Sequence, residues 1–67
     1  MTEAAQPSAE LSSIATALDE LARRVTEIAE RSTGTKDDWL AAELFQVERS
    51  LGEARRRMAS IDDRIRR

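Results

Sequence analysis

The sequence contains no cysteine, no histidine and no tyrosine, so the side chains most used in catalysis and metal binding are missing. Without cysteine there is neither a disulfide nor a thiolate metal site. Without histidine the chain lacks the commonest general base and the commonest transition-metal ligand. Only carboxylates, arginines, one lysine and a few hydroxyls remain as catalytic candidates. We therefore predict a protein that is not an enzyme and that holds no cofactor and no metal.

The long apolar runs of membrane and exported proteins are also missing. A secretory signal has a basic start followed by an apolar stretch, and residues 1–7 show neither. No apolar run approaches the roughly 20 residues needed to cross a bilayer. We expect a cytoplasmic protein with a flexible leader over residues 1–7.

One proline and two glycines leave the chain rich in strong helix formers. After Ser8, a predicted helix cap, apolar residues recur at alternating spacings of three and four, the pattern of one helical face. These residues are Leu11, Ile14, Leu18, Leu21, Val25 and Ile28, with a column of alanines beside them at Ala15, Ala22 and Ala29. The pattern predicts an amphipathic helix over residues 8–32.

The pattern stops at residues 33–35, where Gly34 suits the left-handed conformation that often follows a helix. Thr35 is the predicted cap of a second helix, with Asp38 three residues later as its capping partner. This helix is predicted over residues 36–65, and its apolar face is formed by Leu40, Leu44, Val47, Leu51, Ala54, Met58, Ile61 and Ile65. A three-residue connection is typical of an antiparallel helical hairpin.

The sequence thus predicts an all-α, antiparallel, coiled-coil-like two-helix hairpin. Its seam is predicted to consist of Leu11, Ile14, Leu18, Leu21, Val25, Ile28, Leu40, Leu44, Val47, Leu51, Ala54 and Met58. The apolar residues left outside the seam predict an interface with another chain, formed by Ala15, Ala22, Ala29, Ala41, Phe45, Gly52, Ala59, Ile61 and Ile65. We expect a homodimer that forms a four-helix bundle, or binding to a helical protein partner.

Charge is distributed unevenly along the chain. Residues 1–30 carry six acids and two arginines, whereas residues 55–67 carry six arginines and two acids. Antiparallel folding would bring these ends together, and we expect pairing of Glu3 and Glu10 with Arg57, Arg64 and Arg67. The alternative is that the arginines bind the phosphates of a nucleic acid. The candidate contacts are Arg55, Arg56, Arg57, Arg64, Arg66 and Arg67.

These patterns favour a non-catalytic structural or protein-interaction module, such as a small adaptor or regulatory subunit. Trp39, close to the turn, either covers the turn or anchors a partner. The Lys36-Asp37-Asp38 tip resembles that of Gre-type transcript-cleavage regulators, whose paired acids hold Mg²⁺ in the active site of bacterial RNA polymerase. The resemblance implies a further alternative, a coiled-coil tip regulator of RNA polymerase with Asp37 and Asp38 as the acidic pair.

Overall fold

The computed structural model describes residues 7–66 of the chain. It consists of two helices, α1 over Pro7–Ser32 and α2 over Asp38–Arg66, which pack against each other along their length. A hydrogen bond from the Ser8 hydroxyl to the Asp62 carboxylate joins the start of α1 to the end of α2, so the helices are antiparallel. The predicted all-α helical hairpin is confirmed.

The start of α1 differs from the sequence-based expectation by one residue. The helix begins at Pro7, and proline suits the first helical position because that position has no helical partner for an N–H. Ser8 therefore lies inside the helix, and its hydroxyl bonds to Asp62 instead of capping α1. The rest of the predicted leader, together with Glu3 and Arg67, lies outside the described residues.

The turn reverses the chain at Gly34, whose φ of 81° confirms the predicted left-handed conformation. It is longer than predicted, because α2 begins at Asp38 and not at residue 36. The Thr35 hydroxyl donates to the Ser32 carbonyl over 2.6 Å and accepts the Asp37 N–H over 3.0 Å, which holds residues 35–37 in a turn of their own. The Asp38 carboxylate accepts the N–H of Gly34, so the predicted capping partner bonds one residue earlier than expected.

Burial within the hairpin repeats every seven residues on both helices. The residues with reduced exposure include Leu11, Ala15, Leu18, Ala22, Val25 and Ala29 on α1, and Ala41, Leu44, Glu48, Leu51, Arg55, Met58 and Asp62 on α2. Of the described residues only Ala29, with 0% exposure, and Ala41, with 5%, are fully inside. Since the molecule has just two helices here, these side chains face the other helix or the turn.

This packing differs from the predicted seam by a rotation of both helices about their axes. Ile14, Leu21, Ile28 and Val47 were predicted to lie in the seam, but each is exposed by 42–44%; Ala54 is exposed as well. Conversely, Ala15, Ala22, Ala29 and Ala41 were assigned to an outer interface and instead lie between the helices. Alanine allows the close approach of two helix backbones, whereas larger side chains hold helices apart.

Candidate functional site

The residues displaced from the predicted seam, together with Leu40 and with Ile61 of the predicted interface, make up a surface that we call the apolar outer face. It consists of Ile14, Leu21 and Ile28 on α1 and of Leu40, Val47, Ala54 and Ile61 on α2. Of these only Leu40 is half-buried; the others are exposed, Leu21 and Val47 by 44% each and Ile61 by 41%. Contiguous apolar surface of this kind, bordered by charged residues, marks interaction sites on proteins.

Helical geometry places both halves of the apolar outer face on one side of the hairpin. Leu21 follows the inward-facing Leu18 by three residues, and Val47 follows the inward-facing Leu44 by three residues. In an antiparallel pair of helices, residues three positions after an inward-facing residue lie on the same side of the pair in both helices. The residues four positions after Leu18 and Leu44, which are Ala22 and Glu48, themselves face the other helix, so the hairpin is closed on that side.

A rim of exposed residues, six of them charged, runs along both outer edges of the apolar outer face. Each rim residue lies four positions before, or three positions after, a residue of that face, which is the spacing of neighbours on a helix surface. The rim comprises Glu10, Ala17, Arg24 and Arg31 on α1, and Glu43, Ser50, Arg57 and Arg64 on α2. All eight side chains are exposed. Sequence patterns missed this surface as a unit, because its position depends on which side of the seam is closed.

The remaining predicted interface residues do not join this surface. Phe45 is exposed by 40%, and it lies with Gly52 and Ala59 on the outer flank of the side opposite the apolar outer face. Ile65 is exposed by 49% at the end of α2. Trp39 is exposed by 66%, so it does not cover the turn as one of the two predicted roles required.

The arginines of α2 are separated into groups with different contacts. Arg55 reaches across to Asp19 of α1, with 3.9 Å between Nε and Oδ1, and Arg66 binds Asp62 on its own helix over 2.8 Å. Arg56 and Arg57 line a shallow surface depression together with Glu53 and Ser60. Arg64 is exposed, and Arg67 lies outside the described residues. Nucleic-acid binding by these arginines stays a prediction.

The expected pairing of the acidic and basic ends takes a different form in the structure. Within residues 7–66 no ion pair joins Glu10 to Arg57 or Arg64, and the two helices are linked by Asp19 with Arg55 instead. The reason is that Glu10 and the two arginines lie on opposite outer edges of the hairpin, separated by both columns of the apolar outer face.

The open end of the hairpin is closed by a small polar cluster around Asp62. This carboxylate accepts the Ser8 hydroxyl of α1 and two N–H groups of Arg66, at 2.8 and 3.2 Å. The hydrogen bond from Ser8, and then the bonds and positive charge of Arg66, hold the pKa of Asp62 below its ordinary value. The same contact raises the pKa of Arg66. The cluster thus links the two helices at the open end, with Ser8 level with Asp62.

At the hairpin tip the two acids have different roles. Asp38 uses its carboxylate to bind the Gly34 N–H, and the Asp37 carbonyl accepts the N–H groups of Leu40 and Ala41 as α2 begins. No group of three or more metal-ligating side chains occurs in the described part of the chain. The role of the tip in regulating RNA polymerase stays a prediction.

Comparison with known proteins adds no further assignment. Over residues 7–66, neither helix combines the length and the apolar character of a membrane span. No protein-family model, curated protein or solved structure matches this chain.

Proposed function

We propose that this protein is a non-catalytic protein-interaction module that associates with a second copy of itself through the apolar outer face. Two hairpins joined in this way would make a four-helix bundle, the form in which paired hairpins commonly bury their remaining apolar surface. The proposal rests on one observation: alanines lie beside leucines between the helices, while the large side chains of Ile14, Leu21 and Val47 lie outside. A cytoplasmic location is part of the proposal.

The energetic argument follows from the sizes of these side chains. Complete burial of an isoleucine, leucine or valine side chain contributes about 1.5–3 kcal/mol relative to leaving it in water, and an alanine contributes less because its apolar area is smaller. A hairpin that works alone would gain most by closing over its large side chains. This hairpin closes over one row of large side chains and a row of alanines, and it leaves a second row of large side chains outside. Such an arrangement favours stability once a second chain covers that second row.

A mass measurement with two matched variants tests the proposal. The wild type should have twice the 7.5 kDa mass of one chain in light scattering or sedimentation equilibrium. Val47→Glu should be monomeric, because it would bury an unpaired carboxylate in the interface. Phe45→Glu should remain dimeric: Phe45 is about as exposed as Val47, 40% against 44%, but lies on the other side.

Two results would contradict the proposal. A wild type that is monomeric at micromolar concentrations would remove self-association, and a dedicated helical partner would then have to cover the apolar outer face. A dimer that survives Val47→Glu and dissociates with Phe45→Glu would move the interface to the opposite side of the hairpin.

A further inference from the structure

We propose that the two copies associate with their turns at the same end, so that α1 of each copy lies on α2 of the other. This orientation rests on the proposed function, because it describes how the two copies meet through the same apolar outer face. It is argued from the charges of the rim, because apolar contacts alone are compatible with either orientation and flanking charges select one.

The register of the hairpin places each rim acid level with arginines of the opposite helix. The Ser8–Asp62 hydrogen bond shows that residues near 8 and 62 are at one level. Glu10 is therefore level with the stretch of α2 between Arg57 and Arg64. By the same count Glu43 is level with the stretch of α1 between Arg24 and Arg31. Within one chain these charges lie on opposite outer edges of the apolar outer face and cannot meet.

A second copy with its turn at the same end brings these charges together. A two-fold axis parallel to the helices places α1 of one copy over α2 of the other without changing their level. Glu10 then lies between Arg57 and Arg64 of the other copy. Glu43 lies between Arg24 and Arg31 of the other copy. Every charged contact along the rim joins opposite charges, and symmetry repeats each contact.

The opposed orientation matches the rim less well. With turns at opposite ends, α1 lies on α1 and α2 lies on α2. Glu10 then meets Arg31 and Glu43 meets Arg57, which is favourable, but Arg24 meets the uncharged Ala17. Arg64 likewise lies beyond Glu43 of the other copy, which is the rim acid nearest to the start of α2. No rim acid is therefore level with Arg64 in this orientation. The uneven charge along the sequence is thus satisfied between chains when the turns lie together.

Distance measurement between spin labels discriminates the two orientations. The chain has no cysteine, so Lys36→Cys provides a unique labelling site in the exposed turn. With turns together, the labels should be within roughly 30 Å, because packed helices lie about 8–10 Å apart. With turns opposed, they should be separated by more than about 40 Å, since α2 has 29 residues at roughly 1.5 Å each. Gln46→Cys, near the middle of the hairpin, serves as the control because both orientations give short distances there.

Charge reversal provides a second, independent measurement. Glu43→Arg should weaken dimerisation by about tenfold, since each copy loses two attractive contacts and gains repulsion. Adding Arg24→Glu and Arg31→Glu to this variant should restore the wild-type dissociation constant. Long distances at Lys36→Cys in a dimeric protein, or no recovery in the triple variant, would overturn the orientation and leave the proposed function standing. A monomeric wild type would overturn both.

Discussion

Asp62 is the carboxylate that joins the end of α2 to the start of α1, through its hydrogen bond with Ser8. Its pKa is lowered by the hydrogen bond from Ser8 and by Arg66. A carboxyl group with a lowered pKa in the folded state stabilises the fold above its unfolded-state pKa of about 4 and loses this contribution as the pH falls through the folded value. The open end of the hairpin should therefore be held most firmly at neutral pH and released in acid.

We expect Asp62→Asn to lower the melting temperature at pH 7, with a difference from the wild type that disappears as the pH is brought well below 4. Ser8→Ala should raise the pKa of Asp62 toward its ordinary value, measured by NMR titration of the carboxyl group. Glu20→Gln is the control, because Glu20 is exposed and has no hydrogen bond or ion pair in the described part of the chain. An Asp62→Asn variant whose deficit is the same at every pH would contradict this role.

Single residues also show which local features could be predicted from the sequence and which could not. The left-handed conformation of Gly34 was predictable, because a non-glycine residue there would cost about 1–2 kcal/mol. The functions of Ser8 and Thr35 were not. A serine or threonine hydroxyl can cap a helix, close a turn or bond to another element with similar energy, and tertiary contacts decide among these.

At the scale of the helix, the apolar period predicted both α1 and α2 but not the rotation of each about its axis. Leu18 has Leu21 on one side and Ala22 on the other, and both sides are apolar. Either side can close against the second helix, and the spacing of three and four residues is the same for both. Close approach through alanine decides in favour of one side, and this preference depends on the backbone separation, which the sequence does not specify.

Substitution of Ala29 tests which side is closed. Ala29 has no exposed surface, so Ala29→Leu must push the helices apart or strain the core, at a cost of about 1–3 kcal/mol in unfolding free energy. Ala42→Leu is the matched control, because Ala42 is exposed on the outward surface of α2 and leucine is also a strong helix former. Equal stability of the two variants in chemical denaturation would show that the alanine side is open and that Leu21 and Ile28 lie in the seam instead.

At the scale of the whole molecule, the short length of the chain limits the stability that the hairpin can reach alone. A chain of 67 residues buries a smaller share of its surface on folding than a larger domain does, and one core of this size rarely supplies more than about 3–5 kcal/mol of net stability. In the described residues the hairpin leaves six of the seven residues of the apolar outer face exposed. The apolar pattern predicted that part of the apolar surface would stay outside the hairpin, and the structure shows on which side it lies.

If association completes the core, folding and dimerisation are linked, and stability must depend on concentration. We expect the wild-type melting temperature to rise with each tenfold increase in protein concentration, because a dimer that unfolds to two chains is favoured by mass action. Phe45→Glu should show the same dependence. Val47→Glu should lose it and melt at a lower temperature, since its chains fold alone with Leu21 and Ile14 in water. A wild type that melts at one temperature over a hundredfold range of concentration would mean that the hairpin is stable without a second copy, and the closure over alanine would then need a different cause.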